Sequence, residues 1–111
     1  MTTKGLERGV LESYERRLYI MTNESHRTLY VGMSSNLPVR VDAHKNDINE
    51  GFTQRYKCHK LVYYEGCDDV DQAYKREKQI KGWTRLKKVA LINNTSATWR
   101  DLFEDLINDC T

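Results

Sequence analysis

Two phenols eleven residues apart, Tyr19 and Tyr30, are followed along this chain by Arg40 and by a glutamate, Glu77, that is the sole acid in a strongly basic stretch. Brought to one place, two phenols, a guanidinium and a carboxylate suit metal-assisted phosphodiester hydrolysis. The carboxylate can hold a hard divalent cation, the guanidinium can clamp a phosphate, and a phenol can handle the proton of an attacking water.

The elements that carry these groups place some of them in unusual positions. The first predicted helix has its core stripe at Leu37, Val41 and Ile48, and Arg40 and His44 fall on or beside it, four residues apart and therefore neighbours. A guanidinium there needs an anionic partner or a bound anion, unless Arg40 snorkels and His44 is a structural, hydrogen-bonded histidine. On the second helix the apolar positions Val70, Ala73, Tyr74 and Ile80 include Glu77, seven residues after Val70, on the inward face. An isolated carboxylate is disfavoured there, so Glu77 is expected to pair with a lysine or arginine or to hold an ion such as Mg²⁺.

With 111 residues, 39% hydrophobic and 31% charged, the chain fits one small globular domain and does not fit a disordered one. No apolar run approaches the roughly 20 residues that span a bilayer. The first sixteen residues contain no apolar signal segment, and the expected location is the cytoplasm. Net charge is only +2, but Lys75, Arg76, Lys78, Lys81, Arg85, Lys87 and Lys88 cluster, whereas the stretch after Trp99 is acidic. Such a stripe is either a solvated helix face or the footprint of a polyanion binder. Cys58, Cys67 and Cys110 form no CxxC pair, which favours free thiols over a disulfide framework or a zinc site.

Residues 18–21, 28–32 and 60–65 read as strands, the first two joined by a hairpin. Gly32 is expected to mark a place where another backbone or a ligand approaches closely. Helices are expected from Asn36, a capping residue before Pro38, to about 49–50, then from 68 or 69 to Gly82, from 84 to 93 and from 99 to 107. Trp83 and Trp99 are expected to pack rather than stack on bases. The fold class is α+β: a small, three-stranded, mostly antiparallel sheet flanked by helices.

At this level the chain resembles the GIY-YIG nuclease superfamily, and in particular its small stand-alone members. Tyr19 survives from the first motif, with Arg17-Leu18 in place of Gly-Ile. Tyr30-Val31-Gly32 matches the second, and Ser34 to Arg40 matches the segment leading to the motif arginine. His44 falls where many stand-alone members carry a histidine. The segments 52–56 and 61–65, Arg76 to Trp83 with Glu77 at the metal-binding position, and Trp99 to Leu102 complete the match. Met33 stands where excision members often have lysine, and Ser96-Ala97 replaces an Asn-Pro pair. The resemblance divides the chain into an N-terminal extension, residues 1–16, and a single domain, residues 17–111.

The resemblance implies a divalent-metal-dependent endonuclease that hydrolyses DNA, with RNA left open as substrate. Glu77 would hold Mg²⁺ or Mn²⁺, and Arg40 would clamp the scissile phosphate. Tyr19 or His44 would be the general base, with Tyr30 positioning the water, and the seven basic residues from Lys75 to Lys88 would hold flanking phosphates. Tyr19, Tyr30, Arg40, His44 and Glu77 are thus the expected catalytic set. The alternatives are a nucleic-acid-binding module of the same fold without catalysis, and an interaction domain that uses its acidic C-terminal helix on a protein partner.

Overall fold

The computed structural model describes residues 16–48, 51–67 and 69–109. The extension expected over residues 1–16 lies outside them apart from Arg16, which opens the first strand. In β1 (Arg16–Thr22) the residues Leu18, Tyr19, Ile20 and Met21 are all buried. A run without polar alternation belongs on a strand covered on both faces. β1 accordingly lies in the middle of the sheet, between β2 (Leu29–Ser34) and β3 (Lys60–Cys67), in the order β2-β1-β3. Both pairings are antiparallel. The register sets Gly32, Tyr19 and Tyr64 in one cross-strand row, and an irregularity between Ile20 and Met21 shifts the β3 pairing beyond them. Asn23 shapes the β1–β2 connection: its side-chain oxygen accepts from the amides of Arg27 and Thr28, which lets His26 adopt a positive φ of 61°.

Each sheet face carries its own core. On one face Leu18, Ile20, Val31, Val62 and Tyr63 pack with Ile80 of α3 (Val70–Lys81), Ile92 of α4 (Arg85–Thr95) and Trp99. On the other, Tyr19, Met21 and Leu61 pack with Leu37 and Val41 of α1 (Leu37–Lys45), and with Leu102 and Leu106 around α5 (Phe103–Asp109). Truncating a fully buried residue such as Leu18 or Ile20 to alanine costs about 2–5 kcal/mol. Trp99 belongs to the core and Trp83 packs against it, as the sequence suggests.

Local signals explain the helix ends. Asp69 caps α3 by accepting from the Gln72 amide at 2.8 Å, Gly82 terminates it, and Thr84 caps α4. Four expectations are corrected. α1 stops at Lys45 rather than near residue 49: the Asn46 and Asp47 amides close its last turn, Asp47 has φ +52°, and Ile48, expected on the core stripe, is 67% exposed. A short α2 (Phe52–Tyr56) follows in a segment with no helical expectation. α5 starts at Phe103, not Trp99, because Trp99 takes φ +57° and Asp101 accepts from the Phe103 amide, acting as the helix cap. On α3, Val70 and Tyr74 are exposed, so the buried edge is defined by Ala73 and Ile80. Cys58 and Cys67 are buried free thiols. No helix among the described residues is long and apolar enough to cross a membrane.

Candidate active site

Tyr19, at the centre of the sheet, is 1% exposed, and its ring points toward α1. There its hydroxyl meets His44 Nε2 at 2.9 Å, the direction of the bond following the imidazole tautomer. Tyr30, from the edge strand, closes the group, with ring centroids 6.1 Å from Tyr19 and 5.6 Å from His44. This cluster exists because α1 crosses the face where β1 turns its odd-numbered residues, and because residue 32 has no side chain. A Cβ on Gly32 would lie 2.9 Å from Cε2 of Tyr30 and still closer to the Tyr19 ring. The close approach at Gly32 is made by these two phenols rather than by another backbone or a ligand.

Arg40 sits one turn before His44 on α1, exposed and without an ion pair among the described residues. It lines an open groove of about 410 Å³ together with Ser34, Ser35, Asn36, Val39 and Ala43. The expected arginine on a core stripe is therefore an arginine facing a groove. Ser34, Ser35 and Asn36 of its rim belong to the segment that the resemblance matches up to Arg40, although nothing in the sequence shows that they border a groove.

The electrostatics divide the proton-carrying roles. Burial pushes the Tyr19 phenol well above its ordinary range, and neighbouring Tyr30 adds to this. Arg40 pulls in the opposite direction and Glu77 pushes the same way as burial. His44 moves down, first through burial and then through the positive charge of Arg40. At neutral pH the pair is thus a protonated phenol beside a neutral imidazole.

Glu77 is on α3, in the helix layer against the opposite sheet face, yet its charge is felt at Tyr19. Its side chain is 19% exposed and pairs with Lys81 Nζ at 2.9 Å, one helical turn on. Among the described residues no group of three or more His, Cys, Asp or Glu side chains is arranged to hold a metal. Among the described residues there is thus no all-protein cage. A single, mostly buried carboxylate fits a hard, heavily hydrated divalent ion, which takes one or two protein carboxylates and keeps several waters.

The basic stretch is not uniform. Lys75, Lys78 and Lys87 are exposed and Lys88 is half-buried. Lys78 lies 5.0 Å above the ring of exposed Tyr74. Arg85 donates to the backbone carbonyls of Arg27 and His26, tying α4 to the hairpin. Arg76 is engaged internally by Glu65 and Gln79. Sequence reasoning missed the Glu65–Arg76 pair, since nothing local links a strand-end acid to a helix eleven residues away.

A three-stranded antiparallel sheet with a tyrosine from its centre, one from its edge, an arginine on the following helix and a glutamate on a later one is the arrangement of the GIY-YIG class. A family model described as the GIY-YIG catalytic domain matches residues 17–90, and the chain belongs to that family. It is 38% identical over 69 residues to a UPF0213 protein of Clostridium perfringens, covering 62% of this chain and 74% of that one. A UPF0213 protein of Staphylococcus saprophyticus is 35% identical over 66 residues, 60% of this chain and 80% of the relative. The solution NMR structure of the UPF0213 protein BH0048 from Bacillus halodurans superposes with a TM-score of 0.47 at 20% identity, covering 71% of this chain and 83% of the other.

Proposed function

We propose that this protein is a divalent-metal-dependent endonuclease that hydrolyses phosphodiester bonds in DNA, with Tyr19, Tyr30, Arg40, His44 and Glu77 as its catalytic residues. The observation that carries this reading is the 2.9 Å contact between the Tyr19 hydroxyl and His44 Nε2, inside a site that also senses Arg40 and Glu77.

A buried phenol above its usual range is a poor base by itself. Next to a neutral imidazole it becomes a relay. In the tautomer with the proton on Nδ1, Tyr19 donates to Nε2. As an attacking water forms its bond to phosphorus, Tyr19 takes the water's proton while its own passes to His44. Tyr30, against both rings, orients that water. The resulting imidazolium is a strong acid in this setting, because burial and Arg40 disfavour its charge, and the proton leaves readily toward the departing 3′-oxygen or solvent. Arg40 holds the phosphate from the groove and offsets the charge that builds on its oxygens in the transition state. Glu77 is the residue that would hold Mg²⁺ or Mn²⁺, which when bound supplies Lewis-acid stabilisation of the leaving oxygen. Lys75, Lys78, Lys81, Lys87 and Lys88 provide a salt-sensitive track for flanking phosphates.

The test is cleavage of labelled single-stranded, duplex, flapped and branched DNA, with an RNA arm, in Mg²⁺, Mn²⁺ or EDTA, comparing the wild type with Glu77→Ala. Metal-dependent nicking abolished by the substitution supports the nuclease. Binding by both proteins with no cutting of any member would replace it with a non-catalytic nucleic-acid-binding module.

A further inference from the structure

Three of the five N–H donors of Arg76, the side chain next to Glu77, are used within the protein. Arg76 Nε donates to Glu65 Oε2 at 2.8 Å, Nη2 to Glu65 Oε1 at 3.2 Å, and Nη1 to Gln79 Oε1 at 2.8 Å. The guanidinium carbon lies 5.4 Å from the centre of the Trp83 ring. Glu65 is itself held by the Tyr63 hydroxyl, which donates to Oε1, and Tyr63 belongs to the core on that sheet face. The fork thus ties the core, through β3, to one azimuth of α3.

That azimuth needs fixing. α3 has twelve residues, but only Ala73 and Ile80 are fully buried, and one of them is an alanine. Val70 and Tyr74 face solvent, so apolar packing alone restrains rotation of the helix about its axis weakly. Consecutive residues on a helix are about 100° apart, so holding Arg76 on the β3 side determines where Glu77 points.

We infer that Arg76 and Glu65 are positioning residues: their bidentate pair sets the rotation of α3 and thereby aims Glu77 at the Tyr19–His44 site. Arg76 is on this account no nucleic-acid ligand, although its position in the basic stretch suggests one. The inference rests on the reading of Glu77 as the metal-holding carboxylate. It goes beyond that reading in assigning a task to residues that touch neither metal nor substrate.

The experiment titrates Mn²⁺ alone into the full chain, following free ion by electron paramagnetic resonance, for the wild type, Glu77→Gln, Glu65→Gln, Arg76→Met and Arg76→Lys. In parallel, oligonucleotide binding in EDTA is measured as a function of salt, with Lys75→Met as reference. Glu65→Gln and Arg76→Met change the net charge in opposite directions. A purely electrostatic influence would therefore weaken Mn²⁺ binding in one and strengthen it in the other. Positioning predicts that both weaken it about tenfold, the low end of outer-shell effects. The double variant should be no worse than the poorer single, and Arg76→Lys should recover part of the loss. The salt slope should stay at the wild-type value in Arg76→Met, while Lys75→Met loses about one unit.

Unchanged Mn²⁺ affinity in Glu65→Gln, opposite shifts in the two singles, or a salt slope lowered by Arg76→Met would each overturn the inference. Glu77→Gln binding Mn²⁺ as the wild type does would instead remove the metal reading of Glu77. Glu65→Gln is nearly isosteric and keeps the experiment decisive if Arg76→Met melts early.

Discussion

Gly32 and Tyr19 are cross-strand partners, and a Cβ at residue 32 would fall 2.7 Å from both Cζ and the hydroxyl oxygen of Tyr19. The absence of a side chain on the edge strand is what allows the phenol to lie flat enough to reach His44. Gly32→Ala should therefore push the Tyr19 ring off its hydrogen bond. The expected cost is about 1–3 kcal/mol of stability, as for other overpacked sites. The expected loss in cleavage is about 100-fold, since small misplacements of reacting groups are that costly. Urea unfolding and single-turnover cleavage measure the two effects, and a fully active Gly32→Ala protein would contradict the role given to this contact.

The relay makes the acid limb of the pH–rate profile a property of His44. Burial, then Arg40, lowers the pKa of its imidazole, so the neutral form persists below the ordinary value near 6.5. The acid limb of kcat/KM should therefore have its midpoint below 6.5, and it should move up in Arg40→Gln, which removes one cause of the depression. Stability carries the same sign. Below about 6.5 the unfolded chain takes up a proton that the folded chain resists, so stability falls as pH drops from there toward the lowered folded value. His44→Gln should flatten that part of the stability curve. An acid limb above 6.5 in the wild type would remove His44 from the proton path.

The strands and the start and end of α3 are legible because their signals are local: an unbroken apolar run in β1, Asp69 as a cap, Gly82 as a stop. The candidate site is legible because its residue types and order match a known pattern, although the geometry that joins them is not. Tyr19 and His44 are 25 residues apart, and their contact depends on how α1 crosses the sheet. The errors have related causes. Ile48 looks like a core position by spacing, yet α1 has already ended where Asp47 takes a positive φ. On α3, with two buried residues, i+3 and i+4 spacing admits several faces, and Val70 and Tyr74 were assigned to the wrong one. The helix at Phe103 starts late because Asp101 caps it from a loop that a positive-φ tryptophan creates.

Lys81 and any metal ion compete for the same carboxylate. The Lys81–Glu77 bridge is 2.9 Å long, but the lysine is 53% exposed, so the pair contributes at most about 0.5 kcal/mol after screening. Lys81→Met should therefore tighten Mn²⁺ binding about twofold in the absence of nucleic acid. Lys78→Met, which removes the same charge from the same helix without touching Glu77, should change it less. Equal effects of the two substitutions would mean that general repulsion, and not the bridge, sets the difference.

The segment leading into α5 holds the far end of α1 in place, with Asp101 as one side chain of that connection. Asp101 pairs with Lys45, which directly follows His44, and accepts from the amides of Leu61 at 3.2 Å and Phe103 at 3.1 Å. Lys45 also donates to the His59 carbonyl at 2.9 Å, and the Leu102 amide to the Leu61 carbonyl at 2.7 Å. Removing the carboxylate leaves two amides and an ammonium short of a partner. Asp101→Ala should accordingly cost about 1–3 kcal/mol in urea unfolding, the penalty for unpaired polar groups at a partly buried site. Lys45→Met should cost less, because the two amides keep their acceptor. Since α1 then loses its tie to Asp101 and keeps the Lys45–His59 carbonyl bond, the Tyr19–His44 contact and its apolar contacts through Leu37 and Val41, Asp101→Ala should also lower cleavage while leaving oligonucleotide binding in EDTA unchanged. Equal stability losses in the two variants would show that the Lys45 bridge, and not the amide bonds of Asp101, carries the connection.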